Sequence, residues 1–175
     1  IEAFGQIDIC VANAGVTGYG KFHELDDDTW NDMIDVDLTG TFKTIRAVLP
    51  HMLERRYGRI IATSSMAGRM GNANLAHYVA AKWGVIGMVK SLAMEVANKG
   101  ITVNAIAPGW IDTESATDLE RRMGRATPVG RPGRADEVAS IIALCCAKEA
   151  SYLTGQVIVV DGGNVVQDDK RLLND

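Results

Sequence analysis

The stretch "RIIATSSMAGRMGNANLAHYVAAKWGVIGMVKSLAMEVANKGITVNAIAPG" (59–109) contains two strand patterns with a helical pattern between them. Residues 59–64 and 102–107 are short runs rich in Ile, Val and Ala, the pattern of buried strands. Between them, apolar residues recur at helical spacing from 75 to 97. Because parallel neighbours need a crossover of this length, the stretch predicts two parallel strands joined by a helix.

The same alternation continues on both sides of this unit. Further strands are predicted at 7–12 and 156–161. One short helix and one long helix (38–56) fit the region before residue 59, and a last helix fits 135–147. This order indicates an α/β protein with a parallel sheet flanked by helices. No linker or internal repeat interrupts it, so we expect residues 1–175 to form a single domain, or part of one.

Composition and charge exclude several classes of protein. The chain is 47% hydrophobic and 23% charged, with a net charge of −4, as in soluble globular proteins. Without a basic cluster, nucleic acid is not an expected partner, and no apolar run approaches the roughly 20 residues of a membrane span. Cys10, Cys145 and Cys146 lack metal-ligand spacing, which favours reduced thiols in a cytoplasmic protein and no metal site. The acidic run 26–28 fits a helix start better than a metal site.

Small or hydroxyl-bearing residues follow three predicted strands. They are Asn13, Ala14 and Gly15 after the first strand, Ser64 and Ser65 after the second, and Pro108 and Gly109 after the third. Ligands of open parallel sheets bind beyond the carboxyl ends of the strands. The sequence therefore predicts a binding site at this edge.

Tyr78 and Lys82 lie four positions apart, so their side chains share one face of the predicted helix. A free tyrosine titrates near ~10, and lowering its pKa by about three units needs about 4 kcal/mol. An exposed ion pair gives only about 0.2 to 1 kcal/mol. The pair would have to be partly buried, and the positive charge of an oxidised nicotinamide would help. The competing interpretation is a packed tyrosine ring beside a lysine that reaches solvent.

Five motifs in order resemble the short-chain dehydrogenase/reductase family over nearly the whole chain. They are "NAG" (13–15), "SS" (64–65), "YVAAK" (78–82), "VNAIAPGWIDT" (103–113) and "YLTGQVIVVDGG" (152–163). The resemblance implies a Rossmann-type doubly wound parallel sheet. It also implies an oxidoreductase that moves a hydride between NAD or NADP and a secondary alcohol or ketone. Within the family, the chain is similar to 3-oxoacyl-carrier-protein reductases and to polyol or sugar dehydrogenases, and a homotetramer or homodimer is implied.

The resemblance also assigns roles to residues. Ser65, rather than Ser64, is implied as the catalytic serine and Tyr78 as the general acid/base. Lys82 is implied to lower the pKa of Tyr78 and to contact the nicotinamide ribose. Cofactor contacts are implied for two sets of residues: Asn13, Ala14 and Gly15 on the adenosine side, and Pro108, Gly109, Ile111 and Thr113 at the nicotinamide and phosphates. Substrate contacts are expected from a mixed polar and apolar set: Met66, Arg69, Met70, Asn72, Asn74, Leu75 and Trp110.

Asp37 stands where many relatives have Asn. The resemblance implies a proton relay at this position, chiefly through the main-chain carbonyl, which an Asn-to-Asp change preserves. We therefore expect Asp37→Asn to be mild, and a hundredfold fall in turnover would overturn that expectation.

The family's glycine-rich TGxxxGxG turn is absent, since Gly18 and Gly20 lack a third glycine and the flanking strand and helix. We expect this chain to be the C-terminal part of such an enzyme, without the first βαβ units and without the residue that separates NAD from NADP. Weak cofactor binding would follow, so a non-catalytic binding or assembly module is the rival. A Ser-His-Asp hydrolase is disfavoured, because no G-x-S-x-G elbow surrounds either serine.

Overall fold

Four parallel strands form the centre of the molecule, whose computed structural model describes residues 1–167. The described residues form six strands in all: β1 (Ile9–Ala12), β2 (Gly58–Thr63), β3 (Ile101–Pro108), β4 (Ile111–Asp112), β5 (Gly133–Arg134) and β6 (Val157–Val160). The main sheet has the order β1-β2-β3-β6, and β4 and β5 form a separate short parallel pair. Ile9 pairs with Arg59, and Gly58 pairs with Ile101, so neighbouring strands end at a common edge.

Helices cover both faces of this sheet. They are α1 (Asp27–Ile34), α2 (Thr41–Arg55), α3 (Ala76–Val96), α4 (Asp118–Arg125) and α5 (Ala135–Cys146). One buried cluster joins α2 and α3 to the sheet through Ile45, Val85 and Val103. A second cluster joins α5 to the other face through Ile106 and Val138. Apolar burial on both faces explains why β3 is a nearly continuous apolar run, and it confirms the doubly wound α/β fold.

A π-helical segment, Asp35–Gly40, joins α1 to α2. The sequence pattern predicts two helices here but does not show that one continuous helical path connects them. Asp37 lies on this segment with none of its surface exposed, and its main-chain carbonyl accepts a 2.9 Å hydrogen bond from Thr41 Oγ1. Single π-turns occur often at functional sites because they re-aim side chains. The π-helical segment places the Asp37 side chain in the interior of the protein.

Two features were not predicted from the sequence, namely α4 and the β4–β5 pair. The helix α4 is strongly polar, so it gives little apolar periodicity. Its start is fixed by a capping box: Thr117 Oγ1 accepts a hydrogen bond from the Glu120 N–H, and the Glu120 carboxylate accepts one from the Thr117 N–H. The four main strands and the helices on the two faces agree with the predicted elements to within a few residues.

Within residues 1–167, no helix combines the length and the apolar character that crossing a membrane requires.

The strand β1 lies at the edge of the sheet, where Ile9 and Val11 are 47% and 40% exposed. An apolar edge strand offers unpaired backbone groups to other chains. We expect the 175-residue chain to associate as its concentration rises, and Val11→Lys to reduce light scattering by placing a charge on that edge. Leu119→Lys on α4 is the matched control, because Leu119 is 49% exposed but lies away from the sheet. A monodisperse chain that unfolds cooperatively, or equal scattering from both variants, would contradict this prediction.

Candidate active site

The carboxyl ends of β1, β2 and β3 open onto one cavity of about 420 Å³. Ser65 lies just after β2, and Tyr78 lies on the first turn of α3. Both line the cavity, as does Gly109 after β3. The parallel topology therefore brings together the residues that the sequence places at three separate strand ends.

The two consecutive serines have different roles. Ser64 Oγ donates a 2.9 Å hydrogen bond to the Lys82 carbonyl and is 2% exposed, so it ties β2 to α3. Ser65 Oγ accepts a 3.1 Å hydrogen bond from the Ala67 N–H, and its hydroxyl is also a hydrogen-bond partner of the Tyr78 phenol. Only Ser65 lines the cavity. The geometry therefore separates a structural serine from one that can meet a ligand.

Burial is the main influence on the Tyr78 phenol. It raises the pKa of Tyr78 above the ordinary value of 10.0, while the hydrogen bond from Ser65 opposes that rise. The negative charges of Asp37 and Glu120 raise the pKa further. Tyr78 is therefore a protonated phenol at neutral pH in the protein as described.

Lys82 lies behind Tyr78 and is only 3% exposed. Its Nζ donates a 3.2 Å hydrogen bond to the Thr63 carbonyl and lies 5.5 Å from the centre of the Tyr78 ring. Burial lowers the pKa of Lys82 below 10.5, and Asp37 opposes this by stabilising the ammonium. The lysine is thus the buried partner that the sequence argument requires, rather than one that reaches solvent.

Asp37 faces Lys82 with its carboxylate. Oδ2 lies 3.5 Å from Lys82 Nζ, an ion-pair contact that is longer than the usual hydrogen bond. Oδ1 accepts a 2.8 Å hydrogen bond from the Val16 N–H, in the loop after β1. The main-chain carbonyl, for which a relay role is expected, accepts a hydrogen bond from Thr41 Oγ1, and the side chain contacts the lysine. Asp37 therefore links the loop after β1 to α3.

Gly15 permits this contact because it has no side chain. A Cβ at this position would lie 2.9 Å from Asp37 Oδ1 and 3.3 Å from Lys82 Nζ. Both neighbours are buried and held by other contacts, so neither can move away freely. Close approach, rather than a positive φ, requires a glycine at this position.

The predicted cofactor residues fall into two groups. Gly109, Ile111, Thr113 and Tyr78 line the cavity. Asn13 and Ala14 line a separate depression of about 290 Å³ along β1, and Pro108 ends β3. Gly15 and Lys82 are outside the cavity lining, and Gly15 lies against Asp37 and Lys82. The backbone at Gly109 and the hydroxyls of Thr113 and Ser115 offer polar contacts at the cavity mouth, as a nicotinamide with its ribose requires. The residues present fit that half of the cofactor.

Tyr19 and Glu120 line the cavity but were not predicted from the sequence as site residues. Trp110, which was predicted to contact substrate, lines the cavity with an indole N–H that has no hydrogen-bond partner among the described residues. The "TDLE" run, 117–120, is a capping-box signal that could have located Glu120 on a helix. Within residues 1–167, no cluster of His, Cys, Asp and Glu could hold a metal ion.

A family model described as enoyl-(acyl carrier protein) reductase matches residues 1–164. The chain belongs to the short-chain dehydrogenase/reductase family. It is an oxidoreductase that uses a nicotinamide cofactor and acts on CH–OH or carbonyl groups.

Curated relatives include three that share the name 3-oxoacyl-[acyl-carrier-protein] reductase FabG. The chain is 47% identical to the one from Salmonella typhimurium over 164 residues, which are 91% of this chain and 67% of that protein. It is 44% identical to the one from Escherichia coli K12 over 164 residues, which again cover 91% of this chain and 67% of the relative. It is 41% identical over 167 residues to the one from Staphylococcus epidermidis, covering 93% of this chain and 68% of the relative.

Gly15→Ala tests the close approach of Gly15 to Asp37 and Lys82. The new methyl group has to displace Asp37 or Lys82, so we expect turnover to fall by roughly tenfold or more, as small displacements in catalytic sites do. Steady-state kinetics with a thermal-unfolding check would measure this. Gly87→Ala is the control, because nothing lies within 4 Å of its Cβ position. Equal turnover in the two variants would contradict the prediction.

Proposed function

We propose that the chain interconverts a ketone and a secondary alcohol, with Tyr78 as the general acid/base. The observation that carries this proposal is the Tyr78 phenol at the cavity, bonded to Ser65 and backed by the buried Lys82. A bound nicotinamide supplies or accepts the hydride. Every proton step then falls to the chain's own residues.

In the reduction, the Ser65 hydroxyl donates a hydrogen bond to the carbonyl oxygen of the substrate. The Tyr78 phenol gives its proton to the same oxygen as negative charge develops there. Oxidation runs the steps in reverse and needs Tyr78 as the phenolate. Because the pKa of Tyr78 is raised, the phenol persists at neutral pH, and reduction falls only as the pH rises through that pKa. Lys82 and the cofactor's charge stabilise the phenolate that forms.

For the substrate, we propose an uncharged carbonyl compound. Glu120 is the charged residue among those that line the described cavity, and the lining is otherwise apolar or neutral, with Met66, Leu75 and Trp110 among its walls. The names of the FabG relatives point to 3-oxoacyl thioesters. The description of the family model points to an enoyl substrate, which is the second candidate. A protonated Tyr78 that hydrogen-bonds Ser65 suits delivery of a proton to an oxygen, which favours the 3-oxo substrate.

We further propose that the protein is a cytoplasmic homotetramer or homodimer that joins through α2 and α3. A groove of about 390 Å³ lies between these helices, and Phe42 on its rim is 43% exposed. Arg46 and Glu95 flank the groove with opposite charges, which suits a two-fold contact between copies. Sedimentation of the wild type against Phe42→Lys tests this: loss of the oligomer supports it, and an unchanged mass opposes it.

One assay tests both the proposed reaction and the role of Tyr78. We expect the chain to oxidise NADH or NADPH in the presence of a 3-oxoacyl thioester, and Tyr78→Phe to lower turnover at least about a hundredfold, since general acid–base catalysis contributes at least that much. Tyr152→Phe, at an exposed tyrosine, is the matched control. Turnover that survives Tyr78→Phe would reject the mechanism, and no turnover of the 3-oxoacyl thioester with either cofactor would reject the proposed substrate.

Glu120→Gln tests the charge preference of the cavity. We expect kcat/KM for a 3-oxo acid to rise by about twofold to fivefold, since partly exposed charges contribute up to ~1 kcal/mol, with no change for its neutral ester. Glutamine keeps an oxygen that can accept the capping hydrogen bond from the Thr117 N–H. Asp118→Asn, on the same helix with its side chain 99% exposed, is the control. An equal effect on acid and ester would contradict the prediction.

A further inference from the structure

The ion pair beneath Tyr78 contains a carboxylate that the reaction itself does not need. Asp37 is 0% exposed and Lys82 is 3% exposed, and their charged atoms are 3.5 Å apart. A lysine that serves only to stabilise a phenolate acts best with its positive charge uncompensated. Here a full negative charge lies next to it in a buried setting, where charges interact strongly.

Contacts on three sides fix the position of Asp37. The Val16 N–H holds Oδ1 at 2.8 Å, Thr41 Oγ1 holds the main-chain carbonyl at 2.9 Å, and the π-helical segment sets the direction of the side chain. Gly15 leaves the space that the contact occupies. The carboxylate therefore cannot swing away from Lys82 without breaking the hydrogen bond from the Val16 N–H.

The charged surroundings of this pair are few. Three groups face Lys82: Asp37 on the π-helical segment, Tyr78 on the same helix as the lysine, and the Thr63 carbonyl at the end of β2. Tyr78 is acted on by Asp37, by Glu120 of α4 and by Tyr19 of the loop after β1. Among the described residues, Lys82 supplies the positive charge of this group, and Asp37 lies closest to it.

We propose that Asp37 is a positioning residue whose carboxylate neutralises Lys82 and thereby widens the pH range over which Tyr78 stays a protonated phenol. The phenol is the form that donates a proton to a carbonyl, so the site is adapted to reduction over a broad pH range. The catalytic consequence of this proposal rests on the proposed function of Tyr78. The effect of the Asp37 charge on the protonation of Tyr78 can be measured without turnover.

The sign of the effect follows from electrostatics. Removing the carboxylate takes a negative charge away from the surroundings of Tyr78, and it leaves the Lys82 ammonium uncompensated for as long as Lys82 keeps its proton. Each of these changes favours phenolate over phenol. Asp37→Asn keeps the shape of the side chain and an oxygen that can accept from the Val16 N–H. The tyrosine should therefore lose its proton at lower pH, by about one pH unit, the smaller end of the shifts that a close charge produces.

The test is a titration of tyrosinate ultraviolet absorbance in the 175-residue chain without cofactor. The chain has four tyrosines, so subtracting the titration of the matching Tyr78→Phe protein isolates the signal of Tyr78. We expect the Tyr78 titration to move down by about one pH unit in Asp37→Asn. Asp35→Asn is the matched control, because it removes the same charge from an exposed position on the same segment. Asp37→Ser also removes the carboxylate and replaces Asp37→Asn in the experiment if that variant does not fold.

The pH profile of turnover gives the second readout. In Asp37→Asn, the acid limb of alcohol oxidation and the alkaline limb of ketone reduction should both move to lower pH, while turnover at the optimum changes less than about tenfold. A folded Asp37 variant whose Tyr78 titration matches the wild type overturns the proposal. Loss of the Tyr78→Phe effect on turnover would instead overturn the proposed function and leave the titration as an independent measurement.

Discussion

The burial of the Lys82 ammonium is the constraint on which the rest of the site depends. A cation taken out of water needs a compensating charge and hydrogen-bond acceptors. The structure provides Asp37 and the Thr63 carbonyl, which belong to different elements. Meeting this one requirement fixes the π-helical segment, the end of β2 and the start of α3 relative to one another.

This arrangement links the catalytic chemistry to the fold. Asp37 also accepts the hydrogen bond from Val16, so the loop after β1 is held by the same carboxylate that faces the lysine. Gly15 lies in that loop because no side chain fits between the two charges. A buried ion pair is weak evidence for stability, because desolvation offsets its attraction. Its effect here is to hold Lys82 beside the Tyr78 ring and to set how much positive charge the phenol experiences.

Much of this could be predicted from the sequence. Four apolar runs alternating with helical periodicity indicated the parallel sheet, and the spacing of Tyr78 and Lys82 placed them on one face of α3. The orientation of Asp37 could not be predicted, because it depends on a π-turn whose sequence, "DVDLTG", carries no periodicity that distinguishes it from an α-helix. The helix α4 was missed for a related reason: its polar residues give no apolar stripe, and its capping box is a short signal. Burial of Lys82 also depends on packing between distant segments, which spacing alone does not report.

The most direct test of this account is the titration of Lys82 itself, followed by NMR of the lysine side-chain nitrogens and assigned with Lys82→Met. Burial lowers the pKa of Lys82 from the ordinary 10.5, and Asp37 limits that fall. We therefore expect Lys82 to lose its proton at lower pH than an ordinary lysine in the wild type, and at still lower pH in Asp37→Asn. A Lys82 that titrates at the ordinary lysine value, and does so whether or not residue 37 carries a charge, would contradict it.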